Sequence, residues 1–179
     1  MSIIGFPGYG IVYMKYLKSL FDMRADATLT HVANRVYLTP IEVPVRLTVD
    51  RICVSKLGVA AGNYRAGIYK DNGNTPTGGA LVVESDSIAK GGAWASIELT
   101  IAATQLEPGL YWIAILSDEA TTQVLATYNS EGVGLSVENR YYDIGAYGAL
   151  TNPCPATLLA PNGNCPNSML RVSSIYQPL

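Results

Sequence analysis

Apolar and polar residues alternate with a period of two along most of the chain, which is the pattern of half-buried β-strands. At 93–101 the two sets take opposite faces, with Ala95, Ile97, Leu99 and Ile101 against Ser96, Glu98 and Thr100. Segment 110–116 is apolar at almost every position, which predicts a central strand buried on both faces. Turn signals separate the segments at roughly 8–12-residue intervals. The pattern predicts an all-β, antiparallel β-sandwich that is jelly-roll-like.

Two irregularities in the pattern predict where strands break or bend. Segment 34–44 is extended but contains Pro40 and Pro44. Proline cannot donate to a sheet ladder, so these positions belong at an edge or a strand break. The apolar phase then slips by one residue between Val49 and Ile52. Such a slip predicts a β-bulge near residues 50–51.

Residues 1–33 differ in pattern from the sandwich, which we assign to residues 34–179. The first ten residues are rich in glycine, and Tyr13, Leu17 and Leu20 then follow at i, i+4 and i+7. This spacing predicts a brief helix over 13–22 with one apolar face. A helix of this length is unstable alone in water. We therefore predict an N-terminal arm that docks through these three residues on its own sandwich, a sister subunit or a particle.

Charge is scarce, since only 15% of residues are charged and the net charge is −2. A soluble monomer usually keeps a charged surface, so this composition favours subunits that bury surface against one another. A well-buried monomer is the alternative. No basic cluster exists to bind phosphates, so nucleic-acid binding is not expected. The chain has no run of 18 apolar residues for a membrane span. Its N-terminus lacks the order of a signal peptide, which predicts synthesis in a cytoplasm.

Residues with catalytic or metal-binding chemistry are few and scattered. His31 is the single histidine and no Gly-x-Ser-x-Gly nucleophile motif is present. Glu84, Asp86 and Glu98 could converge as a glycosidase pair, although most carboxylates on a sheet are merely solvated. Asp71 begins a stretch like a calcium loop, but the twelfth position, which requires glutamate, is Val82. The sequence predicts a turn there, and no enzyme activity, metal or cofactor.

Tyrosines cluster in the late loops, where Tyr128, Tyr141, Tyr142 and Tyr147 lie among Gly, Asn and Ser. Exposed tyrosine beside small polar residues provides contact surface at low entropic cost. These four residues are candidates for stacking on sugar rings or for a subunit interface. The alternative is that they cover the sandwich within one subunit.

The stretch from residue 64 to residue 116 carries three motifs: GIYKDNG at 67–73, PTGGALVV at 76–83 and EPGLYWIAIL at 107–116. Together with NRVYLTPIEVP at 34–44 and TVDRI at 48–52, it resembles the β-sandwich domain of tail, fibre and head-surface proteins of tailed bacteriophages. The resemblance implies a non-enzymatic virion protein: a tail, fibre, spike or capsid-decoration subunit that assembles with itself and other virion proteins. Trimers are usual for such proteins, and the implied location is the virion surface. A carbohydrate-binding module for a host-surface glycan is the alternative, with a small glycan-cleaving enzyme third.

Three cysteines complete the candidates. Cys53 falls in an apolar strand and is predicted to be a small buried hydrophobe. Cys154 and Cys165 stand beside prolines in one irregular loop. A disulfide between them would stabilise the fold by roughly 3 kcal/mol through the entropy of the unfolded loop. The bridge and two free thiols both remain open from the sequence, whereas zinc lacks a set of four ligands.

Overall fold

The computed structural model describes residues 3–6, 9–13, 16–18, 27–56, 61–90, 95–120, 123–128, 140–159, 164–166 and 168–176. Within these residues there are fifteen strands: β1 (Ile3–Phe6), β2 (Tyr9–Tyr13), β3 (Tyr16–Lys18), β4 (Ala27–Thr30), β5 (Arg35–Val43), β6 (Leu47–Lys56), β7 (Gly62–Lys70), β8 (Leu81–Glu84), β9 (Ile88–Lys90), β10 (Ala95–Leu106), β11 (Gly109–Ser117), β12 (Gln123–Tyr128), β13 (Arg140–Asp143), β14 (Asn164–Pro166) and β15 (Ser168–Ile175). The described residues include no helix, and therefore none that could span a membrane.

Two antiparallel sheets carry the fold, which confirms the predicted all-β sandwich. A seven-stranded sheet has the order β14-β12-β6-β15-β3, with β10 beside β6 and β4 beside β12. A six-stranded sheet has the order β13-β5-β11-β7-β8, with β9 also paired to β7. Strands β1 and β2 form a separate hairpin.

The inner core lies between the two sheets and follows the period-two pattern. Alternate residues of β6 and β10, such as Ile52 and Leu99, face alternate residues of β7 and β11, such as Ile68 and Ile113. All four side chains are fully buried. Each buried aliphatic side chain of this kind contributes about 1.5–3 kcal/mol, so the alternation decides which face of every strand points inward.

A second cluster explains why β11 is apolar on both faces. The outer cluster lies on the far side of the six-stranded sheet and consists of Val36, Leu38, Tyr69, Trp112, Ala114, Leu116, Tyr142, Leu150 and Cys154. The segment after β13, residues 144–158, covers this face and adds partly buried apolar residues to it. The sheet is thus shielded on both sides, which confirms that 110–116 is a central strand.

Both predicted irregularities are confirmed. In β6, Val49 pairs with Val172 and Arg51 with Arg171, so Asp50 is the extra residue of a bulge. Pro40 of β5 pairs with β11 on one side only. On the other side, β13 reaches no further than Leu38. Pro40 therefore lies where β5 has a described neighbour on one side only, as expected for a proline in a strand.

The helix predicted over 13–22 is wrong where the structure describes it. Tyr13 ends β2, and β3 begins at Tyr16 and pairs with residues 169–171 of β15. Pairing with a distant strand outweighed a local helical spacing. The side chains of Tyr13 and Leu17 and all of Leu20 lie outside the described residues, so docking through them stays a prediction.

Two strands from the predicted arm of residues 1–33 belong to the seven-stranded sheet. Strand β3 lies beside β15, and β4 lies beside β12 along four residue pairs. The connection from β4 to β5 crosses from this sheet to the other. The division at residue 33 stays a prediction, but part of the arm pairs with the sandwich.

Candidate functional site

Two of the four predicted tyrosines, Tyr141 and Tyr142, are adjacent in β13, so their side chains point to opposite faces of the sheet. Tyr142 points into the outer cluster and is 3% exposed. Its hydroxyl lies 2.9 Å from that of Tyr69, which also donates to the carbonyl oxygen of Thr151 at 2.6 Å. Burial raises the pKa of both hydroxyls. Tyr142 is therefore a buried, hydrogen-bonded core residue and offers no face to a ligand.

Tyr141 points to the opposite side of β13 and is half-buried. The guanidinium of Arg35 lies 4.1 Å from its ring centroid, and the ring of Tyr37 is 6.3 Å away. Arg35 also donates to both carboxylate oxygens of Asp143, at 2.7 and 3.2 Å, and this contact raises the pKa of the arginine. A fixed cation over one ring face leaves little of that face for a sugar.

The other two tyrosines lie apart from this strand pair. Tyr147 packs on the outer cluster, and its hydroxyl lies 2.8 Å from that of Ser87. Tyr128 ends β12 opposite Asn164 in the seven-stranded sheet, and its side chain lies outside the described residues. The three tyrosines whose side chains are described thus contact their own subunit.

His31 occupies a site that sequence reasoning did not identify. It lies in the connection between β4 and β5 and is 1% exposed. The rings of Tyr37 and Tyr64 meet it edge-on, with centroids at 5.2 and 6.1 Å. Neither imidazole nitrogen has a hydrogen-bond partner in the described structure. Burial lowers the pKa of His31 to about 4, so the ring is neutral at pH 7.

Two of the three candidate carboxylates, Glu84 and Glu98, do not converge. Glu84 lies on the outer face of the six-stranded sheet, where it accepts the Leu150 N–H at 2.7 Å and lies 3.2 Å from Arg65. Glu98 alternates with buried residues of β10 and so lies on the outer face of the other sheet, 3.4 Å from Arg51. Packed sheets lie about 10 Å apart, and these side chains point away from each other. They cannot act on one glycosidic bond.

The loop after β7 is the predicted turn. Gly73 and Asn74 have positive φ of 76° and 67°. Both Asp71 oxygens are occupied, one by Trp112 Nε1 at 2.8 Å and the other by the Asn74 N–H at 2.9 Å. In the described part of the chain no three His, Cys, Asp or Glu residues are grouped to hold a metal.

In the described structure Cys154 is a free thiol, which gives no support to the predicted disulfide with Cys165. Cys154 is buried in the outer cluster of the six-stranded sheet, and Cys165 lies in β14 of the other sheet. Proximity in sequence therefore does not bring them together. Burial raises the pKa of the Cys154 thiol to about 12. Cys53 is buried in β6, as predicted, and burial raises its pKa to about 11.

Comparison of the chain with protein-family models, with curated proteins and with solved structures finds no match. Any assignment of function therefore depends on the motifs of the sequence and on the geometry described above.

Proposed function

We propose that this chain is a non-enzymatic structural protein of a tailed-phage-like virion. It acts as a tail, fibre, spike or capsid-decoration subunit on the particle surface. It is made in the host cytoplasm, associates with copies of itself and attaches to other virion proteins. Attachment, rather than a reaction, is its activity.

The observation that carries the proposal is the placement of the three motifs that resemble the phage domain. GIYKDNG covers the end of β7 and the turn after it, PTGGALVV leads into β8, and EPGLYWIAIL forms β11. These strands are consecutive neighbours, in the order β11-β7-β8. The motifs therefore form one connected part of a sheet, as a shared domain architecture requires.

Three residues of these motifs, Gly109, Asp71 and Trp112, have a structural role that their residue type explains. Gly109, in the third motif, has a φ of 148°, which residues with a side chain rarely adopt. Asp71 of the first motif and Trp112 of the third are joined by the hydrogen bond across β7 and β11. This bond links the turn to the central strand. It supports a shared scaffold as the origin of the resemblance, but it identifies no reacting group.

The ion pairs support a passive role as well. Asp143 pairs with Arg35, Glu107 with Arg46, and both carboxylate oxygens of Asp50 accept from Arg171. The hydrogen bonds from arginine lower the pKa of Asp50 and of Glu107, so these two carboxylates keep their charge. Such pairs suit a rigid subunit better than a general acid, which needs a raised pKa.

Immunogold electron microscopy tests this proposal. Antibodies raised against the recombinant protein should label intact particles purified from the natural source of the gene, at one recurring position. Pre-incubation of the antibody with excess recombinant protein is the control. Absence of label on intact particles, with the protein detected only in the soluble fraction of lysed cells, would contradict a virion role.

The carbohydrate-binding alternative has less support from the tyrosines. It would need exposed rings, whereas Tyr142 is buried and one face of Tyr141 is covered by Arg35. A glycan array distinguishes the structural subunit from the carbohydrate-binding module. A binding module should bind a defined set of sugars, whereas a structural subunit should bind none. Turnover of a retained glycan would instead support the small hydrolase.

A further inference from the structure

Strand β10 differs from the other strands at the margins of the two sheets. The marginal strands β3, β4, β8, β9, β13 and β14 have three or four residues each. Strand β10 has twelve, and its residues 95–100 and 104–106 pair with β6. No strand in the described part of the chain pairs with its other side. Short edges limit pairing between molecules, and a long open edge invites it.

The composition of β10 does little to block such pairing. Its sequence, ASIELTIAATQL, has one charged residue, Glu98, and no lysine, arginine or proline. These are the residues that usually protect an edge. The register with β6 is regular over 95–100 and shifts only between Thr100 and Thr104. Residues 95–100 therefore form a regular edge, and Ile101 continues its alternation because its side chain is buried in the inner core, so 97–101 could accept a further strand.

The sequence of this edge is complementary to itself. Residues 97, 99 and 101 are apolar and face the inner core, and Glu98 and Thr100 face outward. In an antiparallel pair centred on Leu99, Leu99 meets its own copy and Glu98 meets Thr100 of the other copy. Glu98 does not face itself, and Arg51 lies 3.4 Å from its carboxylate. Like charges directly opposite, which destabilise a sheet, are thus avoided.

We propose that β10 pairs antiparallel with β10 of a second copy, about a two-fold axis at Leu99, which joins two seven-stranded sheets into one. This inference rests on the proposed self-assembly and names the surface responsible. A second copy is the occupant because the edge is self-complementary and the chain carries little charge to keep copies apart. A two-fold contact uses the same surface on both subunits. It therefore produces even-numbered assemblies rather than the isolated trimer that the resemblance implies.

A matched pair of substitutions tests the register. Both Thr100→Glu and Thr100→Lys remove the hydroxyl that accepts from Arg51 at 2.6 Å. In the paired sheet, Thr100→Glu places a carboxylate opposite Glu98 of the other copy at two symmetric positions, whereas Thr100→Lys places an ammonium there. We expect Thr100→Glu to raise the dissociation constant on the order of tenfold. We expect Thr100→Lys to leave it unchanged or to lower it.

The dissociation constants are measured by analytical ultracentrifugation over a dilution series, and circular dichroism checks that each variant is folded. The double variant Glu98→Lys/Thr100→Glu reverses the glutamate–lysine contact of the Thr100→Lys variant, so it should associate at least as tightly as the wild type. It keeps the test informative if Thr100→Glu alone folds poorly.

Three results would overturn the pairing: a wild-type monomer at every concentration, an isolated trimer, or equal dissociation constants for the glutamate and lysine variants. If the protein forms an oligomer whose dissociation constant neither variant changes, self-assembly would stand but β10 would not be the surface that mediates it. Particle labelling tests the virion role independently of all these outcomes.

Discussion

Acidification should destabilise the fold through His31. The imidazole is 1% exposed, lies against the edges of two tyrosine rings, and has no hydrogen-bond partner in the described structure. Burial is the cause that lowers its pKa to about 4, and no charged group contributes. In the unfolded chain the same group has a pKa of about 6.5. Below that pH the unfolded chain binds a proton that the folded chain excludes.

The size of the effect follows from this difference. Each pKa unit corresponds to about 1.36 kcal/mol, so a difference of about 2.5 units corresponds to about 3 kcal/mol. The stabilisation is fully present above pH 6.5 and is lost as the pH falls toward 4. Small domains have total stabilities of about 5–15 kcal/mol. Protonation of this one buried histidine would therefore remove a sizeable fraction of the total free energy of unfolding.

Urea denaturation of the wild type and of His31→Phe at several pH values from 7.5 to 4 measures the effect. Phenylalanine keeps a ring between the two tyrosines and cannot be protonated. The variant should gain about 3 kcal/mol relative to the wild type across this range. Carboxylates titrate equally in both proteins, so the comparison cancels them. A difference in free energy of unfolding that stays constant with pH would refute the reasoning.

Three further predictions concern the turn and the thiols. Gly79→Ala should lower the free energy of unfolding, measured in urea, by several kcal/mol, because the new Cβ would overlap backbone carbonyl oxygens. Gly73→Ala should lower it by about 1–2 kcal/mol, because the site has open space but a φ of 76°. Asp71→Ala should lower the free energy of unfolding by about 1–3 kcal/mol, because it leaves Trp112 Nε1 without its acceptor; urea denaturation followed by tryptophan fluorescence measures the loss. Cys154 should resist iodoacetamide in the native protein at pH 7.5 and react in urea, and peptide mass spectrometry identifies which of the three cysteines is labelled; rapid labelling of Cys154 in the native protein would contradict its burial.

The sequence by itself determined the longer strands of the two sheets and which of their residues are buried. The alternation at 95–101 predicted β10, the apolar run at 110–116 predicted the central strand, and the phase slip predicted the bulge at Asp50. These features depend on near neighbours along the chain, because side chains of a strand alternate between two faces. The same rule could have separated Tyr141 from Tyr142, since adjacent strand residues point in opposite directions.

Features that depend on contacts between residues far apart in sequence were decided only by the tertiary structure. Residues 13–22 have a helical spacing of apolar groups, but residues 16–18 pair with β15 as a strand. Cys154 and Cys165 are close in sequence, but Cys154 lies against the six-stranded sheet and Cys165 lies in β14 of the seven-stranded sheet. His31 carries no local sign of burial, because the rings that enclose it come from β5 and β7. Local patterns specify which residues face inward, and long-range pairing specifies which other residues they meet.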